Sequence, residues 1–343
     1  MSEVQTRRLG FDGWNASGLA AVRRLYPGLI AAGTIGLAAT WLGEQYKSPV
    51  MLFALLIGMA FNFLYEEGPC LPGIDFASKN ILRVGVALLG ARITVTQILG
   101  LGLMPLATVL VGTGSTILLG AWAARRLGLS RSFGLLSGGS VGICGASAAL
   151  AISSVLPKGP EGERDTILTV VIVTAFSTLA MILYPLLAGA LHLGHAAAGI
   201  FLGGTIHDVA QVEGAGYTIS LQTGDIATYV KLLRVSMLLP VVLSIGFFIG
   251  KPGAQPGTRL PMPLFLLAFA GLVALGSMGA ISKSAVAMAG DASRWCLVTA
   301  VAALGIKTSF GAVVKAGWKP VALMLGETAW IAGIVLGAVL FWK

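Results

Sequence analysis

Eleven apolar runs, separated by short charged or Pro/Gly-rich punctuation, fill almost the whole of this 343-residue chain. They lie near residues 27–44, 49–65, 80–99, 103–124, 133–156, 166–191, 196–213, 228–250, 260–281, 295–314 and 320–342. About 20 apolar residues let a helix cross the hydrocarbon of a bilayer, and lipid tolerates only structures that satisfy their own backbone N–H and C=O groups. Charged residues make up 11% of the chain, against about 25% in soluble domains. The pattern predicts an all-α polytopic membrane protein of about eleven transmembrane helices. Residues 1–26 form a basic cytoplasmic N-terminus, residues 27–343 a single transmembrane domain, and nothing is left over for a soluble one.

The net charge of +9 reads as topology rather than nucleic-acid binding. With the N-terminus in the cytoplasm, the inside segments collect twelve Lys and Arg, including Arg7, Arg8, Arg23, Arg24, Arg125, Arg126 and Arg131, and the outside segments six, including Lys158 and Arg164. The positive-inside rule then sets N-inside and C-outside in the cell inner membrane. The first 25 residues lack a short apolar core with a small-residue cleavage site, so no cleavable signal peptide is expected. Cys70, Cys144 and Cys296 have no metal-ligand spacing, so neither metal nor cofactor is expected. The expected partners are membrane lipid and a small solute, with a homodimer allowed.

One stretch departs from the helical pattern. Ser137-Gly138-Gly139-Ser140-Val141-Gly142-Ile143-Cys144-Gly145-Ala146-Ser147-Ala148 packs four glycines and three serines into the middle of an apolar run. Each glycine weakens a helix by roughly 1 kcal/mol relative to alanine, so a break is expected at membrane depth, where it must line a cavity or be buried in protein. The competing reading is a small-residue surface between two unbroken helices.

A duplication is also expected. Phe53–Gly58 resembles Gly199–Gly204, Leu82-Arg83-Val84 recurs as Leu233-Arg234-Val235, Met104-Pro105-Leu106 as Met262-Pro263-Leu264, and Gly142-Ile143-Cys144 matches Gly305-Ile306-Lys307. This register sets repeat one at about 49–191 and repeat two at about 196–342, five helices each after one extra N-terminal helix. An odd number per repeat makes the second copy inverted. It predicts two discontinuous helices, spans five and ten, crossing with Lys307 at the crossing. A second register, pairing Leu89–Arg92 with Leu304–Lys307, competes with it.

Ionisable groups at membrane depth cost roughly 2.5–3.5 kcal/mol each and are functional candidates by default. Lys307, with Thr308 and Ser309, and Arg92 are candidate anion ligands. The backbone from Gly142 through Ile143, Cys144, Gly145 and Ala146 to Ser147 would supply the free N–H groups of a half-helix. The densest polar cluster, Gly203 to Gly216, offers His207 and Asp208 as proton-coupling groups. Two such ligands without more His or Cys make a poor metal site. Arg83, Lys231 and Arg234 lie near span ends and are expected to snorkel, Glu213 to reach water, and Glu327 to act as polar glue between helices.

On Ser140–Ala148, His207–Gly216 and Leu304-Gly305-Ile306-Lys307-Thr308 with Lys315–Trp318, the chain resembles the YeiH or UPF0324 family of bacterial inner-membrane proteins, described as sulfate exporters. The resemblance covers nearly the whole chain. It implies a transporter of the inverted-repeat class, more distantly similar to sodium/proton antiporters and bile-acid symporters. The expected function is secondary transport of a small anion such as sulfate, coupled to protons, by alternating access. No nucleotide-binding motif or ATPase-sized loop is present, and an enzyme built on Cys144 and His207 has no supporting spacing. The alternatives are a passive anion channel and a cation/proton antiporter in which Lys307 is a structural charge. The anion, the coupling ion, the direction of transport and the oligomeric state are left open.

Overall fold

The computed structural model describes residues 12–46, 50–66, 68–157, 160–249, 264–308 and 317–341. Among them there is no strand. They form seventeen α-helices and one π-helical segment. Five helices are each long and apolar enough to cross a membrane: Val22–Tyr46, Met104–Arg126, Glu161–Ala190, Leu221–Phe247 and Trp318–Phe341.

The helices fall into two packed groups. One contains α1 (Asp12–Tyr46), α2 (Val50–Ala60), α3 (Phe63–Glu66), α4 (Leu71–Phe76), α5 (Leu82–Leu89), α6 (Val95–Gly100), α15 (Leu264–Ser277) and α16 (Lys283–Lys307). The π-helical turn Ala77–Ile81 joins α4 to α5, so the predicted third span begins and ends about ten residues earlier than its apolar run. The other group contains α7 (Met104–Arg126), α8 (Arg131–Gly142), α9 (Ala146–Ser153), α10 (Pro160–Ala190), α11 (His195–Thr205), α12 (Val209–Ile219), α13 (Leu221–Ser236), α14 (Leu238–Ile249) and α17 (Trp318–Phe341). Helix α12 lies at their junction, against α2 and α16 on one side and α10 and α13 on the other.

The expected break at Gly142–Ser147 is present, and it does more than interrupt a span. Gly145 has φ +65°, a conformation that side chains other than glycine rarely adopt, and the chain reverses there. Helix α9 runs back along α8, bringing the end of the Ile152 side chain onto Gly139. Ile152 and Leu156 share one apolar cluster with Leu136 and Ile143. Predicted span five is therefore a re-entrant hairpin whose two ends lie together beside the start of α10.

Predicted span seven is a second hairpin. Helices α11 and α12 are joined by Ile206-His207-Asp208, and the far end of α12 returns to the start of α11, where Ser220 Oγ lies 3.1 Å from His195 Nδ1. Because α10 runs from the open end of the first hairpin to the open end of the second, the hairpins enter from opposite ends of the bundle. Their tips meet in the middle. A Cβ on Gly145 would stand 3.6 Å from the His207 Cβ and carbonyl oxygen.

These hairpins correct the expected crossing. Among the described residues the segment that meets span five is span seven; α16 runs unbroken from Lys283 to Lys307, and residues 309–314 of predicted span ten lie outside the described residues. The physical reason is the reversal at Gly145, which turns the chain back before it can cross. Each tip needs a short break in its own run, and both runs have one.

Candidate functional site

Two helices end at the meeting point and two begin there. The C-terminal ends of α8 and α11 leave carbonyl oxygens without intrahelical partners. Both are capped by one helix, α13. Its first residue follows Ser220, whose hydroxyl accepts from the Thr223 N–H at 3.0 Å, and the helix then runs alongside α11 until Lys231 and Arg234 reach the tips. The Lys231 ammonium donates to the carbonyls of Ile143 at 2.7 Å, Ile206 at 3.1 Å and His207. The Arg234 guanidinium donates from Nε to Gly142 O at 3.0 Å, from Nη1 to Gly203 O at 3.2 Å and Ile206 O at 3.0 Å, and from Nη2 to Val141 O at 2.7 Å. Thr113 of α7 adds a bond to Gly142 O at 2.9 Å.

Both cations are 0% exposed. They were expected to snorkel because the apolar run of span eight begins only three residues before Lys231. The helix itself begins at Leu221, so Lys231 lies well inside it and Arg234 in its last turn, directly before α14, and neither side chain reaches water. The Ser220 N-cap was the available sequence signal. Cations at helix C-terminal ends also oppose the negative pole of each dipole, which allows two half-helices to end inside the membrane.

The two N-terminal ends at the tips differ. At α12 the Asp208 carboxylate accepts from the Ala210 N–H at 2.9 Å, an ordinary N-cap, and the Asp208 N–H donates to Ser177 Oγ of α10. The Asp208 residue is only half-buried. At α9 no side chain caps the helix. The first N–H groups there, at Ala146 and Ser147, have no intrahelical acceptor, and Ser147 is exposed while Cys144 and Gly145 are buried.

His207 lies between the tips, fully buried. Its Nε2 is 3.1 Å from Thr328 Oγ1 of α17, and its Nδ1 has no hydrogen-bond partner. Gln211 donates to Thr178 Oγ1 at 2.8 Å and leaves its own Oε1 unpartnered. Glu327 of α17 accepts from Ser137 Oγ at 2.7 Å and ties that helix to α8.

Lys307 belongs to the other group of helices. It ends α16, with its ammonium 2.6 Å from Asp75 Oδ1, 3.4 Å from Ser78 Oγ and over the Tyr65 ring. The Lys307 side chain is 19% exposed. Thr308 caps α16 and bonds Leu304 O. Ser309 lies outside the described residues. Arg92 is remote from the tips. It faces Asp225 at 3.8 Å, in a cavity of about 650 Å³ near the open end of the second hairpin that is also lined by Tyr217, Lys283, Asp291 and Arg294. Glu213, expected to reach water, is 0% exposed. The structure thus brings together Gly142–Ser147, His207 and Asp208, adds Lys231 and Arg234, sets Lys307 across the junction and leaves Arg92 at a separate cavity.

The chain matches the profile of a family described as Conserved hypothetical protein 698 over residues 27–324. It is 51% identical to a UPF0324 membrane protein of Chlorobaculum tepidum, over 98% of this chain and 95% of the relative. It is 47% identical to the UPF0324 membrane protein TauZ of Paracoccus pantotrophus, over 92% and 94%, and 35% identical to a UPF0324 membrane protein of Bordetella pertussis, over 90% of each chain.

Proposed function

The chain belongs to the UPF0324 family of multi-pass membrane proteins, and we propose that it is a secondary transporter of a small oxyanion, sulfate being the first candidate, coupled to protons. The observation that carries the reading is the meeting of the two hairpin tips. Two buried cations, Lys231 and Arg234, stand there against one half-buried carboxylate, Asp208, next to the uncapped start of α9. The excess positive charge and the free N–H groups together suit an anion. Lys231 and Arg234 spend their donors on backbone carbonyls, so their part is to set the potential and hold the tips. Contact with the anion falls to the backbone at Ala146 and Ser147, the Ser147 hydroxyl and, across the junction, Lys307.

Asp208 and His207 then carry the proton. A carboxylate beside the anion opposes its binding and a protonated one does not, so anion and proton favour each other by reciprocal linkage. Alternating access follows from movement of the hairpin-bearing group against the other, with α12 at the moving surface. In this reading the protein is a single transmembrane domain of the inner membrane with its N-terminus inside. Treating spans five and seven as hairpins puts Arg164 on the same end as Arg23, Arg24, Arg125, Arg126, Arg131 and Lys319, against Arg92, Lys283 and Arg294 on the other, which strengthens the positive-inside argument.

One observation favours a second reading. The short Lys307–Asp75 pair is what a structural charge would make, and it suits a cation/proton antiporter with Asp208 as the cation ligand.

Thermal unfolding of the purified protein with sulfate, sulfite, taurine, phosphate, acetate, sodium and lithium at matched ionic strength separates the two, since a ligand of the native state stabilises by RT ln(1 + [L]/Kd). The expected result is stabilisation by one oxyanion, weakened in Lys307→Ala and in Ser147→Val. Stabilisation by sodium or lithium, and by no anion, overturns the anion reading in favour of the antiporter.

A further inference from the structure

Glu213 is the one fully buried carboxyl among the described residues with neither oxygen in a hydrogen bond. The mechanism above makes no use of it. It sits in the second half of the re-entrant hairpin, on α12, between Asp208 at the tip and Tyr217 one turn further toward the open end. The next acid toward the tip on its own helix is Asp208, and Asp225 stands on the neighbouring α13, bonded to Tyr217. Tyr217 donates its hydroxyl to Asp225 Oδ1 at 2.8 Å, Asp225 faces Arg92 at 3.8 Å, and both Tyr217 and Arg92 line the cavity of about 650 Å³.

Among the described residues the helices packed on α12 offer Glu213 no countercharge: α11 carries only His195, at the open end beside Ser220, while Lys283 of α16 is at the cavity and Arg234 of α13 at the tips. Helix α2 has no ionisable residue, and α10 has none between Asp165 and Tyr184. On α16, Asp291 and Arg294 are at the cavity and Lys307 at the far end, paired with Asp75. On α13, Lys231 is occupied by three carbonyls at the tips. An ionised carboxylate without a partner is costly in such a place, whereas a proton on either oxygen removes the charge.

We propose that Glu213 is a proton-binding site of the transporter, loaded from the cavity that Arg92 and Tyr217 line. The step is the addition of one proton to the Glu213 carboxylate, giving the neutral acid, and its release by the reverse route. Asp225 and Tyr217 form the approach, and Asp208, the next acid along α12, is the group whose charge the bound proton relieves. Two acids that feel each other titrate as a linked set, so occupancy of Glu213 is communicated to the hairpin tip without contact. The inference rests on the proton-coupled reading for its purpose, but its test does not depend on that reading.

Infrared difference spectroscopy on the purified protein across a pH series reads the site directly. The expected result is a protonated-carboxyl C=O band that shifts in D₂O, is lost at high pH, is absent in Glu213→Gln and is retained in Glu327→Gln. A spectrum unchanged in Glu213→Gln, or a Glu213 band that neither exchanges with D₂O nor responds to pH, overturns the proposal. The second of these results identifies a sealed structural acid. Wild-type protein in liposomes, assayed for radiolabelled sulfate exchange and for uptake driven by a pH gradient, tests the transport reading separately. Glu213→Gln is expected to retain exchange at equal pH and to lose the gradient-driven component. Wild-type liposomes with no sulfate exchange count against sulfate transport and leave the infrared result for Glu213 standing.

Discussion

From Arg131 to Ser153 the first hairpin carries two ionisable side chains, Arg131 at its open end and Cys144 at the tip, whereas the second, from His195 to Ile219, carries His195, His207, Asp208, Glu213 and Tyr217. Both hairpins have the same backbone problem at the tip, a helix C-terminus inside the membrane, and both solve it with the same pair of cations on α13. The first hairpin then presents backbone to the junction, and the second presents groups that can gain and lose a proton. Shared capping holds the two tips at fixed distance, and unequal side chains divide the chemistry between them.

Removing the shared cap is expected to have the largest effect. Arg234→Met removes four hydrogen bonds to carbonyls of both hairpins at once, and each buried carbonyl left without a donor costs about 1–3 kcal/mol. Folded yield and thermal unfolding in detergent should fall sharply. A variant that folds like wild type would show that the tips are held by something else.

Next comes the turn of the first hairpin alone. Gly145→Ala places a Cβ at φ +65°, ψ −129°, outside the left-handed helical region, with an expected loss of about 1–3 kcal/mol and a matching drop in the unfolding midpoint. The Cβ would lie 3.6 Å from His207, in ordinary contact, so the second hairpin should keep its proton-dependent behaviour.

The smallest change in stability belongs to the second tip. Asparagine caps a helix about as well as aspartate, so Asp208→Asn should unfold within about 0.5 kcal/mol of wild type. Its pH-gradient-driven transport should nevertheless be lost. Retained coupling in this variant would move the proton site away from Asp208 and leave Glu213 as the better candidate.

Much of the site could be read in the sequence, though not its assembly. The glycine-serine stretch marks the break at Gly142–Ser147, whereas the polar run at Gly203–Gly216 reads as a cluster of proton-coupling groups on a helix and gives no sign that the chain turns there. Lys231 and Arg234 were misplaced for a local reason. Span ends drawn from hydropathy ignore the polar first turns of α13, Leu221-Gln222-Thr223-Gly224-Asp225, so interior cations looked terminal. Lys307 was placed at the crossing by a repeat register resting on short matches among Leu-, Gly- and Ala-rich helices, where such matches are cheap.

By itself the sequence determined the class of this protein: a chain of apolar runs with 11% charged residues can satisfy its backbone in lipid only as helices. It also determined one place where that rule would be strained, the glycine- and serine-rich segment at Ser137–Ala148. Tertiary structure alone decided that this segment and the one at Gly203–Gly216 turn back instead of crossing, that the two meet, and which cations cap them. A hydropathy run has length but no direction, and reversal at Gly145 or His207 becomes stable only when Lys231 and Arg234, remote in sequence from the first tip, satisfy the carbonyls that the turns expose.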